Sequence, residues 1–319
     1  MGTALALVLA ESGQTVSLYS IEDDVTREIN TKHKNTKYLA GVKLPKGIDA
    51  TGSIEDAMRG AGMVIFAVPS FALDEVAQKA VAYLNKDTLI GCITKGFDKT
   101  CGSPLGLCMA SWLPDAFRKN YCLIGGPAVA SELAHMKPSA IEIASTNPAA
   151  AKKMAATFQG DILKAATTQD VTGVAYAMAL KNIYAIGLGL CDGLKYPMNT
   201  KALITTQSIM EMVTILKAVG AKSETAMSLA GLGDLIVTGF SSHGRNRTFG
   251  ERLAKAKTKD PRKLGLTTVE GLAASVIGQR LAHRLKLKTP LMDAICDCLA
   301  AEKKFEQPFI DYLKKLRLN

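Results

Sequence analysis

The chain has 319 residues, 48% of them hydrophobic and 21% charged, which is the composition of a globular protein long enough for two cores. Its net charge of +10 suits an anionic small substrate or nucleic acid, but no zinc-finger spacing or RNA-binding aromatic motif accompanies the basic residues, so we expect no nucleic-acid partner. The cysteines, seven without an export signal, argue against a disulfide framework, and their spacing predicts no metal site.

The first predicted element is a helix that starts at Gly2, in the run GTALALVLAESG, and a short strand over 15–20 follows it. This order is typical of the second half of a dinucleotide-binding βαβ unit, from the last glycine of its turn onward. We therefore expect the sequence to begin after the first strand of that unit. The strand ends in Ser20 and Ile21 instead of the acidic residue that binds a ribose 2′-hydroxyl, so the pattern leaves NAD and NADP open.

Further apolar runs are predicted as strands, and they lie at 62–70, 88–96, 121–126, 139–145 and 162–168. Continuous apolar strands separated by helical segments favour a largely parallel sheet that is covered on both faces.

After Thr168 the strand pattern ends, and apolar residues recur at helical spacing. The longest such segments are 173–190, 201–220 and 269–285. The expected fold is therefore an α/β doubly wound, Rossmann-like N-terminal domain over 1–168, followed by an all-α C-terminal domain over 169–319.

Lysines at two positions call for an explanation. Lys95 ends a predicted strand before Gly96, where its side chain either points into a ligand crevice or caps the strand in solvent. Lys181 lies beside Asn182 in an otherwise apolar helix, and burial of an unpaired lysine is unfavourable. Its ammonium either reaches back to solvent or, desolvated with a lowered pKa, donates and accepts protons.

The stretch from Gly231 to Gly250 is the most unusual in the chain. Asp234 stands between glycine-rich backbone and an apolar run, and Arg245 and Asn246 follow a Ser-Ser-His-Gly loop. A guanidinium and an amide together are natural ligands of a phosphate, whereas the alternative is a solvated basic loop.

Motifs along the whole chain, in their order and spacing, are MGTALA, AVPS, TKGF, LKNIYAIGLGLCDGL, GLGDLIVT, GRNR and VEG. Together they resemble the NAD(P)-dependent, two-domain glycerol-3-phosphate dehydrogenases. The resemblance implies reversible hydride transfer between NAD(P)H and dihydroxyacetone phosphate, giving sn-glycerol 3-phosphate for phospholipid synthesis.

The resemblance also implies roles for individual residues. Lys181 is expected to be the general acid–base at the ketone oxygen, while Lys95 and Asp234 orient and polarise the substrate as the other catalytic residues. The implied substrate-binding residues are Asn182, Thr238, Arg245 and Asn246. The implied cofactor-binding residues are Gly2, Pro69, Ala130, Arg245 and Glu270.

Alternatives of two kinds stay open. The family's usual Glu is Ala175 here and its usual Arg is Gln207, which leaves room for a weak or inactive paralogue with a binding or regulatory role. The other alternative is a related reductase of 2-keto or 3-hydroxy acids, although Arg245 and Asn246 favour a phosphorylated substrate.

We also expect a homodimer in the cytoplasm. No apolar run approaches the roughly 20 residues of a membrane helix, so no membrane insertion is expected.

Overall fold

The computed structural model describes residues 1–242, 244–255 and 258–317. The chain forms two compact units, of which unit 1 comprises Met1–Thr94 and Gly106–Val171, and unit 2 comprises Lys95–Leu105 and Thr172–Asn319. His243, in the Ser-Ser-His-Gly loop singled out above, lies outside the described residues.

Unit 1 is built from alternating strands and helices. The strands are β1 (Val16–Tyr19), β2 (Ile48–Thr51), β3 (Met63–Phe66), β4 (Leu89–Cys92), β5 (Tyr121–Gly125), β6 (Ser139–Ala144) and β7 (Leu163–Thr168). The helices that alternate with them are α1 (Gly2–Glu11), α2 (Asp23–Lys32), α3 (Ile54–Met58), α4 (Leu73–Val81), α5 (Leu105–Trp112), α6 (Asp115–Arg118), α7 (Ala130–Ala134) and α8 (Pro148–Phe158).

The strands of unit 1 form two sheets. β1 pairs with β2 in parallel, and the larger sheet has the order β3-β4-β5-β6-β7, in which only the β5–β6 pair is antiparallel. Buried side chains of β4, β5 and β6 pack against helices such as α8, because continuous apolar strands need cover on both faces. This is the α/β arrangement predicted from the sequence.

Strands β1 and β3 border a cavity of about 610 Å³ within unit 1. Apolar side chains from α1, β1 and β3 line much of it, among them Leu5, Leu18 and Val64. Each of the two strands pairs on one side only among the described residues, so its other edge carries backbone groups that no described strand bonds.

The named secondary structure of unit 2 is helical over the residues that the structure describes, apart from an isolated bridge between Phe97 and Pro104. Its helices are α9 (Val171–Gly193), α10 (Met198–Ala218), α11 (Asp234–Phe240), α12 (Arg245–Leu253), α13 (Glu270–Arg284), α14 (Pro290–Ala300) and α15 (Gln307–Lys315). Helix α9 runs through the core, and the other helices pack around it. The predicted change from an α/β domain to a helical domain is thus present in the structure.

Helix α9 is also long and apolar enough to cross a membrane, but 94% of its most apolar window is buried inside the protein. No run of this length is expected from the sequence, whereas α9 extends over 23 residues and passes through Lys181 and Asn182 without a break.

Local predictions were wrong at three places. Strand β2 is not among the predicted strands, and only two of its four residues are buried. Lys95 does not end a strand, because β4 ends at Cys92 and the chain then turns at Gly96, which has a φ of +108°. Arg245 does not lie in a loop, since it is the first residue of α12, with Gly244 as the N-cap.

Candidate active site

A buried lysine on α9 is the centre of the polar site in unit 2. Lys181 is 5% exposed, and its Nζ donates to Oδ1 of Asp234 at 3.0 Å and to Oγ1 of Thr238 at 2.5 Å. Asp234 is the first residue of α11 and Thr238 lies one turn later, so both side chains face the same helix. The ammonium is therefore held in the protein interior by partners and does not reach solvent.

Lys95 completes this group from a different part of the chain. Its Nζ donates to Oδ2 of Asp234, so that each oxygen of the carboxylate contacts one ammonium. The segment that carries Lys95 packs on α9 through Phe97, whose ring meets the ring of Tyr176 edge-on at 6.2 Å between centroids. We call Lys95, Lys181, Asp234 and Thr238 the lysine–aspartate group.

Charges in this group shift one another's protonation. Burial lowers the pKa of Lys181 to about 8, and nearby Lys95 also lowers it, while Asp234 opposes the change. Burial by itself would raise the pKa of Asp234, but the ammonium groups of Lys181 and Lys95 outweigh burial and hold that pKa below its ordinary value. The group thus contains a stable carboxylate beside a lysine that exchanges its proton near neutral pH.

Two amides form a second cluster one residue further along α9. Nδ2 of Asn246 donates to Oδ1 of Asn182 at 2.9 Å, and Oδ1 of Asn246 accepts from the backbone N–H of Gly271 at 2.9 Å. Nδ2 of Asn182 then donates to Oε2 of Glu270 at 3.3 Å. These bonds fix the orientation of both amides and join the starts of α12 and α13 to the centre of α9.

Arg245 stands next to this amide cluster. Its side chain is 55% exposed, and its NH2 lies 3.9 Å from Oε1 of Glu270, so most of its donors face outward. The first turn of α12 contains no acidic residue, and the start of a helix attracts anions through its N–H groups. Guanidinium, helix start and amides together can bind a phosphate.

The expected unit 2 residues therefore lie in two adjoining clusters, linked by the neighbours Lys181 and Asn182. Sequence reasoning missed the backbone N–H of Gly271 and the bond from Asn182 to Glu270, because both depend on contacts between distant helices. A visible signal was the pair Glu270-Gly271 at a helix start.

The expected cofactor residues of unit 1 occupy the ends of elements. Gly2 opens α1, Pro69 follows β3, and Ala130 opens α7. Helix α1 has no side-chain cap and no acidic residue in its first turn, which leaves its N–H groups suited to a pyrophosphate. These residues thus fit a dinucleotide.

No group of three His, Cys, Asp or Glu side chains that could hold a metal ion occurs among the residues that the structure describes.

Comparison with known proteins gives consistent matches. The family model described as NAD-dependent glycerol-3-phosphate dehydrogenase N-terminus matches residues 1–151, and its C-terminus counterpart matches residues 170–309. The chain is similar to the glycerol-3-phosphate dehydrogenase of the NAD(P)+ type from Carboxydothermus hydrogenoformans. The two are 33% identical over 301 residues, which cover 94% of this chain and 89% of that protein. The enzyme of the same type from Myxococcus xanthus is 35% identical over 297 residues, which cover 92% of this chain and 87% of that protein.

A solved structure has the same architecture. The crystal structure of glycerol-3-phosphate dehydrogenase from Coxiella burnetii superposes with a TM-score of 0.88 at 30% sequence identity, covering 98% of this chain and 95% of that chain.

Proposed function

The chain belongs to the family of NAD-dependent glycerol-3-phosphate dehydrogenases, and we infer from this that it is an NAD(P)-dependent enzyme that interconverts dihydroxyacetone phosphate and sn-glycerol 3-phosphate. The family, the fold class and the cofactor class predicted from the sequence are confirmed. The observation that carries the chemistry is the burial of Lys181 against Asp234 and Thr238.

Lys181 is proposed as the general acid in the direction of ketone reduction. NAD(P)H, when bound, supplies the hydride for the carbonyl carbon. The proton of the Lys181 ammonium moves to the carbonyl oxygen, and a pKa of about 8 makes this donor effective near neutral pH. In the reverse direction the neutral amine accepts the proton of the secondary alcohol.

Asp234 and Lys95 support this proton transfer. The carboxylate of Asp234 holds the ammonium of Lys181 in place, and Thr238 accepts a further hydrogen bond from it. Lys95 adds a second positive charge, which favours negative charge developing on the substrate oxygen.

The phosphate of the substrate is assigned to the amide cluster and Arg245. Arg245 offers a fork of donors that is largely exposed, and it suits a phosphate dianion better than a lysine would. Asn246 donates one N–H of its amide to Asn182, and the second N–H of the same amide is proposed to donate to the phosphate. Binding the remote phosphate then aligns the carbonyl with Lys181.

The cofactor is assigned to Gly2, Pro69 and Ala130 of unit 1, while the cofactor roles expected for Arg245 and Glu270 stay predictions from the resemblance. The uncapped start of α1 supports the first part of this assignment, because its N–H groups can take phosphate oxygens. We retain 1–168 as the cofactor-binding domain and 169–319 as the substrate-binding domain.

We also propose a cellular role and an oligomeric state. The product suits phospholipid synthesis in the cytoplasm, and we expect a homodimer that binds small phosphorylated molecules and has no nucleic-acid or membrane role.

Steady-state rates test the function. Purified protein is given NADH or NADPH with dihydroxyacetone phosphate, with a panel of 2-keto acids, or with no ketone. Cofactor oxidation that needs dihydroxyacetone phosphate supports the proposal. Binding of cofactor without turnover would instead favour the inactive paralogue, and turnover of 2-keto acids alone would favour the related reductase.

A further inference from the structure

A second cluster of charged side chains lies in unit 2, apart from the lysine–aspartate group. Oδ1 of Asp192 contacts Nζ of Lys201 at 2.8 Å, and Oδ2 of Asp192 contacts Nε of Arg247 at 2.6 Å. The three side chains are only 11–17% exposed. We call them the Asp192 cluster.

The Asp192 cluster joins four helices. Asp192 lies in the last turn of α9, Lys201 in the first turn of α10 and Arg247 in the first turn of α12. Nζ of Lys201 also stands 4.7 Å from the ring centroid of Phe240, the last residue of α11. Since α11 and α12 carry Asp234, Thr238, Arg245 and Asn246, the cluster holds the ends of both helices that bring the site to α9.

Helices α9 and α12 meet through backbone as well. A Cβ at Gly189 of α9 would collide with the carbonyl oxygen of Arg247, and a Cβ at Gly250 of α12 would collide with the carbonyl oxygen of Ile186. No side chain can lie between the helices at these points. Flexible side chains therefore cannot absorb a displacement of α12 relative to α9 at these points, so such a displacement also moves the first turn of α12.

Arg247 is close to the phosphate ligands in sequence. It follows Arg245 and Asn246 in the same helical turn, and Asn246 is hydrogen-bonded to Asn182 of α9. The first turn of α12 is thus fixed to α9 at two points, by a hydrogen bond from Asn246 and by an ion pair at Arg247.

We propose that Asp192 is a positioning residue for the phosphate end of the active site, because its bond to Arg247 fixes the first turn of α12, and with it Arg245, on helix α9. This inference rests on the proposed function. Asp192 touches neither the lysine–aspartate group nor the amide cluster among the contacts that the structure describes, so its effect passes through α12.

The test is Asp192→Asn, assayed with dihydroxyacetone phosphate and with non-phosphorylated dihydroxyacetone. The amide keeps the shape of the side chain but removes the carboxylate that pairs with Lys201, and it leaves Arg247 with Glu251, at 3.3 Å within α12, as its acidic partner. We expect KM for dihydroxyacetone phosphate to rise on the order of tenfold, with kcat lowered less, while kcat/KM for dihydroxyacetone stays within about twofold.

Rescue separates positioning from general destabilisation. The double variant Asp192→Asn with Arg247→Gln also removes the guanidinium that has lost its partner on α9, so it should recover part of the melting temperature, but it should not recover KM. Arg247→Lys retains charge and should raise the KM for dihydroxyacetone phosphate selectively as well, so it provides the same comparison if Asp192→Asn does not fold.

Leu216→Ala is the matched control. Leu216 is fully buried on α10, about 22 Å along that helix from Lys201. Leu216→Ala should lower the melting temperature and should change kcat/KM for the two ketones by the same factor. If Asp192→Asn and Arg247→Lys change kcat/KM for both ketones by the same factor, or change it for neither ketone, Asp192 does not position the phosphate site.

The parent enzyme keeps this test apart from the proposed function. Failure of the parent to reduce dihydroxyacetone phosphate would overturn both inferences. Normal parent activity, with Arg245→Ala selective for the phosphorylated ketone and the Asp192 variants unselective, would overturn the positioning role alone.

Discussion

The two units of this enzyme place their functional groups differently. In unit 2 the proposed site consists of charged and amide side chains, most of them buried, that hydrogen-bond to one another. In unit 1 the expected cofactor residues are Gly2, Pro69 and Ala130, which offer backbone and small side chains, and strands β1 and β3 border a cavity.

This difference predicts different responses to substitution. Substitution of a single side chain in the proposed site of unit 2 should remove a defined chemical step. Truncation of a side chain beside the cavity of unit 1 should remove few contacts.

The largest effect is expected from Lys181→Ala. Loss of the general acid should lower kcat for dihydroxyacetone phosphate by at least about a hundredfold, while NAD(P)H still binds because its expected ligands are untouched. Rates and cofactor binding by fluorescence titration check this. Lys217→Ala on the exposed end of α10 is the matched control. Activity within a few-fold of the parent would remove Lys181 from the mechanism.

The pH dependence of the two directions should differ in sign. Ketone reduction needs the Lys181 ammonium, whose pKa is about 8, so kcat should fall about tenfold per pH unit above that value. Oxidation of glycerol 3-phosphate needs the neutral amine, so its rate should rise up to about the same pH and then level. Parallel changes of both rates across this range would contradict the assignment.

Stability provides the smallest expected effect, in a comparison of two leucines. Leu216→Ala empties part of the closed core of unit 2 and should cost about 2–5 kcal/mol. Leu18→Ala on β1 borders the cavity and is already partly exposed, so it should cost about 1 kcal/mol or less.

Urea unfolding can follow the two units separately. Trp112 is the only tryptophan and lies in unit 1, so its fluorescence reports that unit, while far-ultraviolet circular dichroism is weighted toward helical unit 2. Equal losses for the two variants would mean that the β1 region is packed as tightly as the helical core.

Sequence reasoning succeeded where a residue contradicts its surroundings. A lysine in an apolar helix must have partners if it is buried, and Lys181 bonds to Asp234 and Thr238. The change from strand to helical periodicity likewise located the two domain types, because it depends on many residues at once.

It failed where the outcome depends on a few residues or on distant contacts. β2 is too short for alternation to stand out, and β4 ends at Cys92, before the chain reaches Lys95 and the turn at Gly96. The Asn182–Asn246 bond joins residues 64 positions apart, and the Asp192 cluster joins the ends of separate helices. Nothing local in the sequence indicates either contact.

The most direct test of the central claim compares two ketones in variants of Arg245. The account predicts that Arg245→Ala raises KM for dihydroxyacetone phosphate roughly ten- to a hundredfold, and that Arg245→Lys raises it less, because lysine keeps the charge but loses the fork. The effect on dihydroxyacetone, which has no phosphate, should be far smaller. If both ketones lose activity by the same factor, Arg245 does not bind the phosphate and the assignment of the substrate site is wrong.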